Sequence, residues 1–247
     1  MKKPFFKGFF FFFNPSKMIT EHNPELRKKL IEHLEQFVTD ERKVRLQEVL
    51  RNRTRHITVV LEDLYQTQNI SAVMRSCECY GIQDAYIVEN RNEFEIHKDI
   101  SMGADKWLTL HHYPHAEHNM KQCIDDLHER GYTVVATLPD EKKTTIHDLP
   151  VETKTAFLFG TELTGLSEEA VRYADCNALI PMYGFTESFN ISNSAAIILS
   201  NFSERLRHSD VDWHLTDEEN EILYFNWLQK SIRDPEGIIR HYLATHP

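Results

Sequence analysis

Phe157-Leu158-Phe159-Gly160-Thr161-Glu162-Leu163-Thr164-Gly165-Leu166 is the stretch on which the fold reading turns. A short apolar run, the length of a buried strand, passes into a glycine-bracketed loop holding one carboxylate, and Ser167-Glu168-Glu169 then opens a short helix to Tyr173. Upstream, Ile57 to Leu61 reads as a buried strand, Ile70 to Tyr80 as a helix ended by Gly81, Asp84 to Val88 as a second strand and Trp107 to Leu110 as a short third. A helix over Glu117 to Arg130, stopped by Gly131, leads to strands at Tyr132 to Thr137 and Thr155 to Phe159. Downstream, Cys176 to Ile180 is the last strand and Asn190 to Leu206 a long apolar helix. Strands alternating with helices place the chain in the α/β class, a mostly parallel sheet with helices on both faces.

Open sheets of this class bind ligands outside the carboxyl ends of their strands, and three loops there are unusually polar. The first is Gln68-Asn69-Ile70-Ser71-Ala72-Val73-Met74-Arg75. Asn69 sits near a helix cap, and Arg75 lies about two turns in, beside the apolar stripe of Val73, Met74, Cys77 and Tyr80. A long cation among apolar neighbours needs an anion, which a phosphate or a structural carboxylate equally supplies. In the second loop, the stretch quoted above, Gly160 permits close backbone approach to a ligand, although a plain strand-to-helix turn capped by Ser167 needs none. In the third, from Ile180 to Ala196, Ser188, Asn190, Ser192 and Asn193 crowd a helix entry that needs one cap, not four.

The chain of 247 residues carries a net charge of −10, which excludes a protein coated in basic residues for nucleic acid. Within it, Arg42 to Arg55 holds a net +5, from Arg42, Lys43, Arg45, Arg51, Arg53 and Arg55 against Glu48. Two readings stand for this run: a surface for RNA phosphates, with Lys43, Arg51, Arg53 and Arg55 as contacts, or a solvated helix face. Cys77, Cys79, Cys123 and Cys176 form no CxxC pair, and no His/Cys cluster has zinc spacing, so a reduced, cytoplasmic protein without metal is expected. No apolar run reaches the roughly 20 residues of a membrane span. Neither a P-loop nor a dinucleotide fingerprint is present, which argues against an NTPase or dehydrogenase.

In this order, the loops N-x-S-A-x-x-R, F-G-x-E-x-x-G-[LV]-S-E-E-A and I-P-M-x-G-x-x-x-S-x-N-x-S resemble the three motifs of the SPOUT RNA 2′-O-ribose methyltransferases, over Ile57 to Arg207. The resemblance implies a C-terminal trefoil knot, a homodimer whose active site draws on both subunits, and S-adenosylmethionine as cofactor. It assigns Thr137, Leu138, Gly160, Ile180, Met182, Ser188 and Phe189 to the donor site. Arg75 matches the family's catalytic arginine, and Asn69, Glu162, Ser188 and Asn190 its other polar motif residues. Helical stretches at both ends look like those of the tRNA enzymes acting on the D-loop guanosine. Ribosomal RNA, another tRNA position, or a non-catalytic RNA-binding protein on this fold are the alternatives.

The organisation expected is a disordered tail over residues 1–17, a basic helical extension over 18–55, the methyltransferase core over 56–207 and a helical extension over 208–247. The Phe-rich start lacks a cleavage site, and Met18 is the expected opening of the functional chain. The N-terminal extension has helical spacing over Pro24 to Phe37 and Asp40 to Asn52. In the C-terminal one, Thr216 and Glu219 make a capping box, with an interruption near Pro235.

Overall fold

Every residue of β1 (Ile57–Glu62) is buried, and its side chains alternate between two apolar layers. Ile57, Val59 and Leu61 enter one core, while Val60 enters the other. A strand covered on both faces reads as a continuous apolar run, which is why Ile57 to Leu61 shows no polar alternation. The computed structural model describes residues 23–92, 94–138 and 144–246, apart from the side chain of Lys98; the tail expected to be disordered lies outside them.

Around β1 stand β2 (Asp84–Val88), β3 (Thr109–Tyr113), β4 (Tyr132–Thr137), β5 (Thr144–Thr145), β6 (Lys154–Phe159) and β7 (Cys176–Leu179), in the order β3-β2-β1-β6-β4-β7-β5. All the pairings are parallel, and β1 lies between β2 and β6. With α1 (Pro24–Leu34) and α2 (Asp40–Leu50) preceding the sheet, its layers come from four later helices. On one face α3 (Thr67–Cys79) contributes Val73, Met74 and Cys77 to the core. On the other, α4 (Asn119–Glu129) contributes Met120, Cys123, Ile124 and Leu127, and α5 (Glu168–Tyr173) adds Ala170. The long α6 (Ile191–Arg207) returns to the first face with Ala195, Ile198, Leu199, Phe202 and Leu206.

Several elements start elsewhere than the sequence suggests: the helix expected from Glu117 begins at Asn119, and the strand expected from Thr155 begins at Lys154. The third strand begins at Thr109, because Trp107 closes a 3₁₀ turn over Ala104–Lys106. Helix α3 begins at Thr67, so Asn69 lies within the first turn rather than at the cap, and its amide is left for longer-range bonds.

The chain divides into two compact units. One is the sheet unit, Arg51–Leu215; the other joins residues 23–50 with residues 216–246. In the second unit Asn23 caps α1 through Leu26 N–H at 3.0 Å, with Pro24 in the first turn. The capping box of Thr216 and Glu219 opens α7 (Asp217–Ser231), and Asp234 caps α8 (Pro235–Thr245). Arg27 is buried against Glu221 at 2.7 Å, the Tyr224 hydroxyl donates to Glu35 at 2.8 Å, and Trp227 fills the interior. Segments distant in sequence are thus tied by ion pair, hydrogen bond and apolar burial together.

Gly81 ends α3 with φ +76°, and a Cβ there would meet the Asn52 carbonyl oxygen at 2.3 Å. Left-handed strain and this backbone collision act together. Gly81→Ala is expected to lower the unfolding free energy by about 2 kcal/mol or more, measured by chemical denaturation.

Candidate active site

At the carboxyl end of β1 the chain turns into α3 and brings in Asn69; the turn after β6 brings in Glu162, and the loop after β7 brings in Asn190. Glu162 Oε1 accepts from Asn69 Nδ2 at 2.9 Å and from Asn190 Nδ2 at 2.6 Å. Asn190 Nδ2 also donates to Asn69 Oδ1 at 3.1 Å, closing the triangle. Asn69 Nδ2 donates in addition to Gln66 Oε1 at 2.9 Å. Asn190 is at once the cap of α6, its Oδ1 accepting from Ser192 N–H at 2.8 Å. The turn that carries Glu162 is closed by reciprocal backbone bonds between Thr161 and Gly165, each 3.0 Å. A Cβ at Gly160 would lie 2.2 Å from the Gly165 carbonyl oxygen, so glycine is required by the turn itself, before any ligand is considered.

Two cavities meet here. One, of about 120 Å³, is lined by Thr137, Leu138, Gly160, Ile180, Met182, Ser188 and Phe189, together with Phe159, Leu179 and Ser194. The other, of about 750 Å³, takes Asn69 and Glu162 into its wall. Gly165, Leu166 and Ile191 line both. The smaller cavity has mostly apolar walls with the hydroxyls of Thr137, Ser188 and Ser194, a donor set suited to a flat heterocycle with a polar tail.

The structure unites Asn69, Glu162 and Asn190, and places Ser188 on the smaller cavity beside them. It does not bring Arg75 into the cluster. Arg75 is exposed between the buried Val73, Met74 and Cys77, and lines neither cavity. The expected apolar surroundings are therefore corrected: α3 turns this side chain outward.

Residues 56–200 match the model of the SpoU rRNA Methylase family. The chain belongs to that family. It is 39% identical over 210 residues to a tRNA (guanosine(18)-2'-O)-methyltransferase of Borreliella burgdorferi, covering 85% of this chain and 94% of the relative. The crystal structure of the A. aeolicus TrmH/SpoU tRNA modifying enzyme superposes with a TM-score of 0.70 at 28% identity, over 78% of this chain and 97% of that one. AviRb from Streptomyces viridochromogenes, solved in complex with the cofactor AdoMet, shares the fold at a TM-score of 0.55 and 20% identity, over 66% of this chain and 65% of that one.

This SpoU chain uses its basic run differently from the sequence expectation. Arg53 is buried, donating to Glu78 Oε1 at 3.0 Å and to the Ile82 carbonyl at 3.2 Å. Its guanidinium cannot present itself to an RNA phosphate. Arg55 Nε is tied to the buried Asp84 carboxylate at 2.9 Å. Burial pushes that carboxyl up, but His111 and Arg55 outweigh it and hold Asp84 below its ordinary range. Lys43 pairs with Asp40 at 2.6 Å, and Arg51 is exposed.

Glu62, which the sequence reading passed over, ends β1 with only 3% of its surface exposed. Its Oε2 accepts from Ser167 N–H at 2.8 Å, joining β1 to the start of α5. Burial pushes its carboxyl above the usual range. A charge closing the apolar run Ile57 to Leu61 was the available signal.

Two tests follow from this geometry. Asn190→Asp keeps the capping oxygen but removes the Nδ2 donor and sets a second carboxylate beside Glu162. The variant is expected to be less stable than the parent at pH 7. Chemical denaturation measures the deficit, and a variant as stable as the parent contradicts the role of the Asn190–Glu162 bond. Arg53→Ala should cost about 2 kcal/mol or more of stability, read by denaturation, whatever RNA is present.

Proposed function

We propose that this chain methylates a ribose 2′-hydroxyl of RNA, the D-loop guanosine of tRNA, with S-adenosylmethionine as donor. The observation that carries the proposal is the Asn69–Glu162–Asn190 triangle at the edge of two abutting cavities. When bound, S-adenosylmethionine supplies an electrophilic methyl group on a cationic sulfur. The residues that would hold it are Thr137, Leu138, Gly160, Ile180, Met182, Ser188 and Phe189, which line the smaller cavity.

A ribose hydroxyl is a poor nucleophile until its proton is drawn off. Arginine is a poor base for that, with a pKa of roughly 12.5 to 13.8. Arg75 instead clamps the neighbouring phosphate and stabilises the developing oxyanion, while phosphate or water takes the proton. Asn69 orients the ribose, Glu162 holds Asn69 and Asn190 in register, and Ser188 shapes the mouth of the donor cavity.

Arg75 acts on the site of a partner subunit in a homodimer. Arg75 lies six positions after Asn69, which sets the two side chains about 120° apart around α3, and Arg75 lines neither cavity of its own chain. Family membership over residues 56–200 supports the trefoil knot in the C-terminal part of the core; the compact units divide at Leu50/Arg51 and Leu215/Thr216, so residues 51–55 and 208–215, expected in the helical extensions, go with the core. Arg51 and Lys43 are the proposed contacts to RNA phosphate. A tRNA substrate and the free cysteines support a cytoplasmic site of action.

Purified protein incubated with unmodified tRNA and donor is expected to yield 2′-O-methylguanosine on nucleoside mass spectrometry. Arg75→Ala should lower the rate by about 10³-fold with donor binding retained in calorimetry; turnover at the parental rate contradicts the role. Neutralising Arg51 should flatten the salt dependence of RNA binding by a slope of about 1, and an unchanged slope removes it from the interface.

A further inference from the structure

We infer that Arg205 is a positioning residue for the methyl-donor cavity: from α6 it grips the turn over residues 145–149, whose Ile146 N–H fixes the Leu179 wall of that cavity. The inference rests on the function proposed above and adds a residue that sets the shape of the donor site without touching it.

Leu179, Ile180 and Met182 bound the smaller cavity where the chain leaves β7. β4 pairs with β7 as far as Ala178, opposite Thr137. On its other flank β7 has only the two-residue β5, with Thr144 opposite Ala178 and Thr145 opposite Leu179. Past those pairs, the Leu179 carbonyl accepts from Ile146 N–H at 3.0 Å. This bond carries the edge pairing one step further, to the point where the cavity wall becomes loop. The turn that supplies it is braced from within, since Asp148 Oδ2 accepts from Thr145 N–H at 3.2 Å and from the Thr145 hydroxyl at 2.6 Å.

Arg205 holds that turn from outside. Its Nη1 donates to the Ile146 carbonyl at 3.0 Å and its Nη2 to the Leu149 carbonyl, so one guanidinium spans both carbonyls. Asn201, one turn earlier on α6, donates to His147 Nδ1 at 3.1 Å. Ile146 is therefore bonded to Arg205 through its carbonyl and to the cavity wall through its N–H. Helix geometry joins the two ends of this arrangement. Ile191, Ile198 and Arg205 recur at seven-residue spacing, which keeps them on one face of α6. Ile191 and Ile198 line the smaller cavity. Arg205 follows about 10 Å further along the axis and lines neither cavity. The helix thus forms one wall and anchors the support of another. A clamp serving stability alone needs no particular peptide; this one takes the peptide whose N–H meets Leu179. Binding sites keep their shape when the groups behind the lining are locked in this way. A lysine ammonium is a point charge and cannot reproduce the planar fork.

Calorimetry with S-adenosylmethionine, paired with steady-state rates on tRNA, tests the role. Arg205→Ala is expected to weaken donor binding about tenfold or more, as for lost hydrogen bonds to a charged group. The donor KM should rise in step, while kcat at saturating donor stays within about twofold of the parent. Arg53→Ala serves as the comparison, because it removes a buried arginine that lines neither cavity, and it should keep the parental donor affinity. The inference is overturned if folded Arg205→Ala binds the donor like the parent, if kcat falls with the donor KM unchanged, or if Arg53→Ala weakens donor binding as much. Should Arg205→Ala fail to fold, Arg205→Lys decides: an ammonium cannot span both carbonyls, so binding about threefold weaker or more is expected, and parental affinity overturns the inference. A parent protein that neither binds S-adenosylmethionine nor methylates RNA overturns the function proposed above. A parent that does both, matched by Arg205→Ala, overturns only the positioning role.

Discussion

One carboxylate oxygen, Oε1 of Glu162, receives two amide N–H groups from side chains 93 and 28 residues away in sequence. The rest of the site depends on that convergence. Asn69 comes from the first turn of α3, Glu162 from the turn after β6, and Asn190 from the cap of α6. The bond from Asn190 to Asn69, across 121 residues, closes the cycle. Because Asn190 also caps α6, displacing it disturbs a helix as well as the cluster. Functional groups held by such mutual bonds on rigid elements need little reorganisation when a substrate arrives.

The sheet makes the convergence possible. β1 and β6 are adjacent, so the loops leaving their carboxyl ends emerge side by side. β7 lies beyond β4, and its loop crosses back to start α6 on the face that α3 also covers. The two cavities open where these loops gather, with Gly165, Leu166 and Ile191 forming the partition. Glu62, buried at the end of β1, fastens the start of α5 through its bond to Ser167 N–H.

Much of this was legible in the sequence. Buried strands announce themselves as apolar runs, and Gly81 and Gly131, both at positive φ, stop helices as expected. The three polar loops stand out because their surroundings are apolar, and the seven residues assigned to the donor site line one cavity. What escaped the sequence depends on direction rather than identity. Arg75 and Cys77 are two residues apart on one helix, yet one is exposed and the other buried, a difference of rotation about the helix axis. Arg53 counts as one more positive charge in a basic run until Glu78 and the Ile82 carbonyl are seen to enclose it. A run of charges reports composition; whether each head reaches solvent is settled by packing. Glu62 was hidden for the opposite reason, since one acidic residue at a strand end is unremarkable until its neighbours are known.

The outward aim of Arg75, away from both cavities, and the Asn69–Glu162–Asn190 triangle beside them belong to one account only if two chains complete each site. Mixing Arg75→Ala with Glu162→Ala tests that most directly. Each variant alone should be inactive. After subunit exchange, a mixed dimer holds one site with intact Arg75 from one chain and the intact triangle from the other, so roughly a quarter of the parental activity should return. Sites built within a single chain would stay dead in every dimer, and a mixture with no activity after demonstrated exchange contradicts the account.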